Sequence, residues 1–322
     1  SRTGVRSPSA DILQGIDRSA PARPQGGPCV ARPLVFDFPG GSEYVGESMM
    51  RRPNLIPLAV ACLVLLVPAC GEPTPQPGNV LLVIVDTARA DHFSTFGYPR
   101  PTSPNLDRLA AEGQRFDSAW SQSPWTLPSI ATILTGQPPH AHGATRGRRG
   151  IHPVSDEVET LAQRLRSRGY ATAAFMNVLW CAPEVSGLDR GFDLYDHRET
   201  DESNRGHRNA AETTDAVLSW LDGAGDAPFF VVTHYFDPHL TYDPPAPYDT
   251  IFEDEAGARV PVGFGSASQV FAIRDGRLPL TPGQRESLIA RYDGEIRFTD
   301  EQFGRLREGL AQRGLWDDTL VI

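Results

Sequence analysis

The sequence contains one unbroken apolar run, which reads Asn79-Val80-Leu81-Leu82-Val83-Ile84-Val85 and is followed directly by Asp86-Thr87. Continuous apolar, β-branched character without alternation is typical of a central strand that is buried on both faces. Because ligands of open α/β sheets bind beyond the carboxyl ends of the strands, Asp86 is well placed to hold a hard cation. A strand-end Asp can equally be solvated or cap a loop, so Asp86 alone is a weak signal.

Helical and strand-like patterns alternate along the rest of the chain. This alternation predicts an α/β fold with a mostly parallel central sheet that helices cover on both faces. The segment 237–282 is rich in Pro and Gly with weak periodicity, and such a long loop is often a substrate lid. We predict helices at 103–112, 128–134, 157–168, 210–221 and 282–313, and strands at 170–176, 229–235 and 319–322.

The composition excludes several classes of protein. The chain of 322 residues carries 30 basic and 40 acidic side chains, and its formal charge of -10 argues against nucleic acid as a partner. All of the basic side chains except histidine are arginine, which excludes a P-loop lysine and a Schiff-base lysine. The cysteines Cys29, Cys62, Cys70 and Cys181 have no metal-ligand spacing, and we interpret Cys181 as a structural thiol.

The amino-terminal part of the sequence is typical of processing and linker segments. Residues 1–48 are rich in Pro, Gly and Ser, which predicts a disordered segment or upstream sequence wrongly joined to the gene. Residues 49–70 combine a basic start, a short apolar core and small residues before Cys70, as in a lipoprotein-type signal peptide. We expect lipid attachment at Cys70, with a plain secretory signal or a single anchor helix as alternatives. Residues 71–78 would then tether the catalytic domain, 79–322, to the membrane.

A second motif is expected to open a helix. Residues 123–136 read SPWTLPSIATILTG, in which Pro128 suits a first helical turn and Gly136 suits a carboxyl-terminal cap. This pattern places Thr126 just before the helix, close to its positive dipole end and its free N–H groups. That environment favours an alkoxide and binds anionic esters. The alternative is that Thr126 only caps the helix.

Seven motifs, in order, make the region from about residue 78 to residue 322 resemble the sulfatase family of the alkaline phosphatase superfamily. The resemblance implies an alkaline-phosphatase-like three-layer sandwich, with one or two divalent metals at the strand ends and a nucleophile that opens a helix. The motifs are NVLLVIVDT at 79–87, PTSPNLDRLA at 101–110, TLPSIATILTG at 126–136, HAHG at 140–143, HYFDPH at 234–239, YDGEI at 292–296 and WDDTLVI at 316–322.

The resemblance also assigns roles to individual residues. Asp86 and Thr126 match positions that bind metal, and Thr126 takes the place of the nucleophile. His239 matches a histidine that contacts the anionic group or the leaving oxygen, and His142 has a similar assignment, so both are predicted catalytic and substrate-binding residues. His234 lies within an apolar strand, and we interpret it as a satisfied core histidine instead.

Three departures separate this sequence from the usual sulfatase pattern. Sulfatases carry Cys or Ser, oxidised to formylglycine, in a Cys-x-Pro-Ser-Arg context, whereas here Thr126 and Ile130 replace the first and last of these residues. An oxidised Thr would be a ketone, so the hydrated-aldehyde mechanism is excluded, and the lysines that commonly contact sulfate are absent. Thr nucleophiles are familiar in related phosphodiesterases and phosphoglycerol or phosphoethanolamine transferases, which makes a phosphate ester a second possible substrate.

The resemblance further implies that the metal site is incomplete in this chain. The family pattern continues after 319–322 with Asp-His-Gly, whose Asp and His bind metal. We therefore expect the remaining ligands beyond Ile322, a sandwich truncated at its carboxyl terminus, and a chain that is inactive alone. Thr87 stands where sulfatases often have a second Asp, which favours one cation, either Ca, Mn, Mg or Zn, bound by Asp86, Thr126 and those later ligands.

The sequence thus predicts a metal-dependent hydrolase of sulfate or phosphate esters, with a covalent intermediate on Thr126. Its substrate would be a small or polymer-borne ester. Its location would be the bacterial cell envelope, as a lipoprotein anchored in the membrane through Cys70 or as a periplasmic or secreted protein. Two alternatives are a phosphoglycerol- or phosphoethanolamine-type transferase acting on envelope polymers or lipids, and a non-catalytic anion-binding lipoprotein.

Overall fold

A parallel five-stranded sheet forms the centre of the fold. The computed structural model describes residues 78–148, 150–198, 208–253, 259–261 and 263–322. The predicted segment 1–48, the predicted signal peptide with its lipidation site, and all of the predicted tether except Gly78 lie outside the described residues. The strands are β1 Asn79–Val85, β2 Thr145–Gly147, β3 Gly150–His152, β4 Ala171–Asn177, β5 Leu194–Arg198, β6 Phe229–Tyr235 and β7 Thr319–Val321. Within those ranges the sheet order is β5-β4-β6-β1-β7, and β2 pairs with β3 in a separate antiparallel hairpin.

All four pairings in the large sheet are parallel, which confirms the predicted arrangement. Strand β1 runs between β6 and β7, and its register with β6 runs from Val80 opposite Phe230 to Val85 opposite Tyr235. Every residue of β6 is buried, including Thr233 and His234 near the end of its otherwise apolar sequence. Parallel strands need crossover connections, and the helices between them supply those connections.

Helices cover both faces of the sheet. Neighbouring strand residues pack into different apolar clusters, because successive side chains point to opposite faces. Leu82 joins one cluster, which also contains Ile130, whereas Leu81 joins another that contains Leu306. The result is the three-layer sandwich expected from the sequence. The helices are α1 Pro104–Glu112, α2 Thr126–Thr135, α3 Pro139–His142, α4 Leu161–Arg166, α5 Pro183–Ser186, α6 Ala210–Leu221, α7 Ala267–Arg274 and α8 Pro282–Gln312.

Several predicted boundaries differ from the observed ones. Helix α2 begins at Thr126, two residues before the predicted start, and α4 is shorter than the predicted 157–168 because Thr160 caps it through a capping box with Gln163. Strand β5 reads LYDHR and was not predicted, since its polar residues at the sheet edge break any apolar run. The segment predicted as a lid, 237–282, contains helix α7.

Helix α8 fixes the start of α1 through a buried carboxylate. Ser103 precedes α1 but forms no side-chain cap. Instead the carboxylate of Asp300 accepts hydrogen bonds from the backbone N–H groups of Asn105 at 3.0 Å and Leu106 at 2.8 Å. Burial raises the pKa of Asp300 to about 6, and its hydrogen bonds offset part of that effect. A helix start that would otherwise leave unsatisfied donors is thereby paired across the chain.

Two simpler findings concern the cysteine and the membrane. Cys181 is buried, in agreement with its interpretation as a structural thiol, and burial raises the pKa of that thiol. Among the described residues, none of the helices has the length and apolar character that a membrane crossing requires.

Replacing Asp300 with Ala should destabilise the fold. At pH 5 the loss should be about 1–3 kcal/mol, because two half-buried N–H groups at the start of α1 lose their acceptor. The wild-type carboxyl has a raised pKa, so the stability it contributes is present at low pH and is lost as the pH rises through about 6. The variant should therefore lack this pH dependence. Urea unfolding across that pH range measures both effects.

Glu301→Ala is the matched control. Glu301 is the next residue of α8, has 44% of its side chain exposed, and pairs with Arg297 at 3.2 Å. Exposed ion pairs contribute about 0.2–1 kcal/mol, so this variant should unfold almost like the wild type. Equal destabilisation by the two substitutions would contradict the capping role of Asp300.

Candidate active site

Polar residues gather where three parallel strands end. Asp86 directly follows β1, Asn177 is the last residue of β4, and His234 is the next-to-last residue of β6. The β1–β6 register places Ile84 opposite His234, and the backbone N–H of Asp86 donates to the carbonyl of Tyr235 at 2.9 Å. These side chains therefore share the carboxyl edge of the sheet, where open α/β folds bind ligands.

The carboxylate of Asp86 joins helix α2 to this edge. Its Oδ2 accepts a hydrogen bond from the Thr126 hydroxyl at 3.1 Å and lies 3.1 Å from Nε2 of His234. Only 11% of the Asp86 side chain is exposed. The structure thus brings together Asp86 and Thr126, two residues that the sequence analysis singled out at positions 40 residues apart.

The surroundings of Asp86 keep it ionised. Burial alone would raise the pKa of Asp86, but the hydrogen bond from His234, the charges of His234 and His239, and the Thr126 hydroxyl together hold it below its ordinary value. The site therefore presents a carboxylate anion with little contact to solvent. Such an anion can accept a proton in a hydrogen bond or ligate a cation.

His234 is fully buried, yet it is more than a core histidine. Its Nδ1 accepts the backbone N–H of Asn177 at 3.3 Å, so Nε2 carries the proton that faces Asp86. The Asn177 amide in turn donates to the His234 carbonyl at 2.7 Å. The sequence analysis predicted the burial but missed the partner. A polar residue within an otherwise apolar strand, near its carboxyl end, was the available signal.

Thr126 is the first residue of α2, not the residue before the helix. Trp125 occupies the N-cap position and forms no side-chain cap, and the Thr126 hydroxyl bonds to Asp86. The interpretation of Thr126 as only a cap is therefore wrong. Pro128 lacks an N–H, and the first turn of a helix leaves its other N–H groups without intrahelical acceptors, so this end favours an anion. Gly136 ends the helix with a φ of 67°, as predicted for a carboxyl-terminal cap.

His142 does not join this constellation. Its side chain is fully buried, Nδ1 accepts the backbone N–H of Ala144 at 3.1 Å, and Nε2 lies 3.1 Å from the Thr132 hydroxyl. Burial lowers the pKa of His142, which favours the neutral ring. Because both ring nitrogens have partners inside the fold, the geometry favours a structural role at the end of α3, and the catalytic and substrate-binding role of His142 stays a prediction.

His239 follows β6 and lies at the border of the site. Its ring stacks on Phe236 with centroids 4.4 Å apart and an interplanar angle of 17°, and Nδ1 lies 3.1 Å from the Leu240 carbonyl. The side chain is half-buried, and its charge contributes to the lowered pKa of Asp86. His239 therefore lies close enough to influence the carboxylate electrostatically.

The turn after Asp86 is held by helix α8. Thr87 has a φ of 52°, which is uncommon for a β-branched residue. The Tyr292 hydroxyl donates to the Thr87 carbonyl at 2.9 Å and accepts the backbone N–H of Arg89 at 2.8 Å. The Arg89 guanidinium forms an exposed ion pair with the Asp91 carboxylate, with an N–O distance of 2.6 Å. A turn of this kind persists only where surrounding contacts fix it, and Tyr292 supplies two such contacts.

A buried carboxylate beside Tyr292 fixes the rest of this loop. Asp293 is fully buried and accepts hydrogen bonds from the Tyr98 hydroxyl and from Arg100, both at 2.7 Å, while His92 Nδ1 lies 2.6 Å away. Burial and the bond to Asp293 raise the pKa of Tyr98 to about 12. Since all of these partners follow β1, helix α8 clamps the segment that begins at Asp86.

Two of the described residues have the chemistry of ligands for a hard cation. Asp86 offers a buried carboxylate and Thr126 a hydroxyl at one position, and both are suitable oxygen ligands for a hard cation. Nowhere in the described ranges do three or more His, Cys, Asp or Glu side chains cluster in a way that could hold a metal ion. The residues present therefore fit a cation as two ligands of a larger set.

Comparisons with known proteins agree with this geometry. The family model described as Sulfatase matches residues 78–322. The chain is 32% identical to dog (Canis lupus familiaris) N-acetylgalactosamine-6-sulfatase over 156 residues, which are 43% of this chain and 30% of that protein. It is 26% identical to the multifunctional alkaline phosphatase superfamily protein PehA of Trinickia caryophylli over 319 residues, covering 76% of this chain and 62% of that protein.

A solved structure shows the same fold. The crystal structure of phosphonate monoester hydrolase of Agrobacterium radiobacter matches with a TM-score of 0.58 and 23% identity, covering 76% of this chain and 61% of that chain. The chain thus spans less than two thirds of the length of each of these three proteins. The region that the family model matches, 78–322, contains the strand ends and the helix that carry Asp86, Thr126 and His234.

Replacing His234 with Phe should raise the pKa of Asp86. The substitution keeps a buried ring but removes the largest contribution that opposes the effect of burial. In the wild type, the lowered pKa contributes stability that is present above the ordinary value of 3.8 and is lost as the pH falls through the lower folded value. Because the folded pKa of Asp86 is higher in the variant, this contribution to stability should be smaller there and should disappear at a higher pH. The Asp86 carboxyl ¹³C shift, followed by NMR through the acidic range, measures the change.

His152→Phe serves as the control, since His152 is an exposed residue of β3. It should leave the titration of Asp86 unchanged. An Asp86 titration in His234→Phe identical to that of the wild type would show that His234 does not set the charge of the site.

Proposed function

Because the chain belongs to the sulfatase family of the alkaline phosphatase superfamily, we propose that it is a hydrolase of sulfate or phosphate esters with Thr126 as its nucleophile. One observation carries this proposal. The Thr126 hydroxyl lies 3.1 Å from an ionised, nearly buried carboxylate, at the sheet edge where such folds bind ligands. A hydroxyl that only stabilised the fold would not need that environment.

The contact with Asp86 prepares Thr126 for attack. Because the hydroxyl donates to Oδ2 of Asp86, its proton points to the carboxylate and its lone pairs point elsewhere. The start of α2 adds a positive dipole end, which favours a developing alkoxide and an anionic ester. In the proposed reaction, Thr126 Oγ1 bonds to sulfur or phosphorus as the bond to the leaving oxygen breaks. Water then releases the covalent intermediate.

His239 is the proposed partner of the leaving group. It lies at the border of the site and influences Asp86 through its charge, and its ring is oriented by Phe236. A histidine here can donate a proton to the leaving oxygen or stabilise the charge on it. His142 has no part in the proposed reaction, because both of its ring nitrogens serve the fold.

A divalent cation is the proposed cofactor. Asp86 would hold it through its carboxylate and Thr126 through its hydroxyl, as two ligands of a larger set. Bound there, a cation of the type Ca, Mn, Mg or Zn would supply Lewis acidity and lower the pKa of the hydroxyl. The exposed fraction of Asp86, 11%, leaves room for such contact.

The substrate class follows from the unmodified threonine. Thr126 cannot form formylglycine, so it would act through its own hydroxyl, which suits phosphoryl transfer. The relatives carry the names of a sulfatase and of an alkaline phosphatase superfamily protein, which supports both kinds of ester. We expect turnover of a phosphodiester to equal or exceed that of a matched sulfate ester. Strong sulfatase activity without phosphodiesterase activity would contradict this preference.

Two other functions remain to be distinguished by experiment. A phosphoglycerol- or phosphoethanolamine-type transferase would share the Thr126 intermediate but would require an acceptor alcohol, whereas a hydrolase turns over with water alone. A non-catalytic anion-binding lipoprotein would bind the ester without turnover. Product analysis with and without glycerol as acceptor separates these three cases.

We also propose that the protein is held at the bacterial cell envelope through a lipid on Cys70. This proposal rests on the basic, apolar and small-residue series before Cys70, in residues that the structure does not describe. Mass spectrometry of protein from its host should find a lipid-modified amino terminus at Cys70. An unmodified terminus elsewhere would contradict the anchor and would leave a periplasmic or secreted protein.

Thr126→Ala should abolish turnover while leaving the fold nearly intact. In the natural full-length protein, kcat for the preferred ester should fall at least about 1,000-fold, since the covalent route is lost. Stability should fall by only about 1 kcal/mol, the contribution of one hydrogen bond. Thr126→Ser should retain part of the activity because it keeps a hydroxyl. Steady-state kinetics and thermal unfolding measure the two effects.

Thr135→Ala is the control for these variants. Thr135 is the last residue of the same helix, and its hydroxyl donates to the backbone carbonyl of Ala131 and accepts the backbone N–H of Gln137, both at the end of the helix. It should change stability by a similar amount and leave kcat unchanged. Wild-type turnover by a folded Thr126→Ala protein would refute the assignment of the nucleophile.

A further inference from the structure

A cluster of one arginine and two tryptophans lies beside Thr126. The rings of Trp125 and Trp180 meet edge to face, with centroids 6.0 Å apart and planes at 87°. The guanidinium carbon of Arg146 lies over both rings, 5.7 Å from the centroid of Trp125 and 5.5 Å from that of Trp180. Two indole faces thus hold one cation in a defined place.

The chain itself places this cluster at the carboxyl edge of the sheet. Trp125 is bonded to Thr126, so their Cα atoms are about 3.8 Å apart. Trp180 comes three residues after Asn177, the last residue of β4 and the partner of His234. Both indoles pack against the same apolar cluster as helix α2.

The hairpin of β2 and β3 fixes the position of Arg146. Arg146 stands directly opposite Ile151 in the antiparallel register, so the two side chains lie on one face of the hairpin. Ile151 packs against the apolar cluster that also holds Trp125 and Trp180. The guanidinium is therefore carried on an anchored strand.

The hydrogen-bond donors of the Arg146 guanidinium are unpaired within the described residues. The residue is exposed, and no ion pair or hydrogen bond joins its side chain to any other residue in the described ranges. Residues 145–150 read TRGRRG, with three arginines and no acidic residue, in a chain whose formal charge is -10. A guanidinium supported on aromatic faces is suited to bidentate binding of a carboxylate, sulfate or phosphate.

We propose that Trp125, Trp180 and Arg146 form a subsite for an anionic substituent of the substrate, separate from the ester that Thr126 attacks. The proposal rests on the proposed function and narrows it to esters that carry a second oxyanion group. The indoles hold the guanidinium in place before the substrate arrives, which reduces the ordering cost of binding. A positive group next to the site also attracts dianionic substrates into an otherwise acidic protein.

The test compares two aryl esters of the class that the protein turns over. One carries a para carboxylate, and the other carries a para carboxamide of nearly equal shape. The natural full-length protein should show a higher kcat/KM for the carboxylate ester. In Arg146→Gln the ratio of the two kcat/KM values should fall at least about tenfold, as expected for loss of a charge-assisted hydrogen-bond pair. Arg146→Lys, which keeps the charge but loses the planar fork, should retain part of the ratio.

Arg148→Gln is the matched control. Arg148 is an exposed arginine of the same hairpin and contacts neither indole within the described structure. Its loss should leave the ratio unchanged. An equal fall in Arg146→Gln and Arg148→Gln would mean that the general charge of the hairpin acts, and would overturn the subsite. An unchanged ratio in Arg146→Gln would overturn it as well.

A binding measurement separates this proposal from the proposed function. Tryptophan fluorescence of Thr126→Ala, titrated with the para-carboxylate ester, should report binding that weakens at least about tenfold when Arg146→Gln is added. If no ester is turned over but this difference appears, the proposed function fails and the subsite stands. If esters are turned over and binding does not depend on Arg146, the subsite fails and the role of Thr126 is unaffected.

Discussion

The parallel register between β1 and β6 is the constraint on which the site depends. It places Ile84 opposite His234 and brings Asp86 to the Tyr235 carbonyl, so a carboxylate that follows an apolar strand meets an imidazole at the next strand end. A shift of the register by one residue would turn His234 to the other face of the sheet. The carboxylate would then be nearly buried without its main hydrogen-bond donor, which is unfavourable for a charged group.

In two buried histidines, a backbone N–H occupies Nδ1 and thereby determines which nitrogen is left for another partner. The backbone N–H of Asn177 occupies Nδ1 of His234, which directs the other nitrogen to Asp86. The backbone N–H of Ala144 likewise occupies Nδ1 of His142, but the other nitrogen there meets a helix hydroxyl, Thr132. The same backbone contact thus directs one imidazole to the carboxylate of the candidate site and the other to a helix hydroxyl. The difference lies in which element faces the free nitrogen.

The sequence was sufficient to predict the parts of the molecule whose physics is local. The apolar runs of β1 and β6 predicted buried parallel strands, and the pattern at 210–221 predicted the helix at its observed bounds. Strand β5 could not be predicted, because its polar residues depend on pairing at a sheet edge. The partner of His234 and the buried contacts of His142 were missed for a similar reason. Both depend on contacts between residues distant in the chain or in neighbouring turns, which periodicity does not encode.

The contacts of helix α8 determine which segments of the protein unfold together. Through Tyr292, Asp293 and Asp300 it holds the turn after Asp86, the loop up to Arg100 and the first turn of α1. Each of these contacts is a buried or half-buried polar pair, so releasing one segment exposes groups that the others share. The loop and α1 should therefore exchange their amide hydrogens with α8 as one cooperative unit, rather than by independent fraying. A surface loop that follows a strand is usually the first part of a fold to fluctuate, and here it is bound to the longest helix of the described chain.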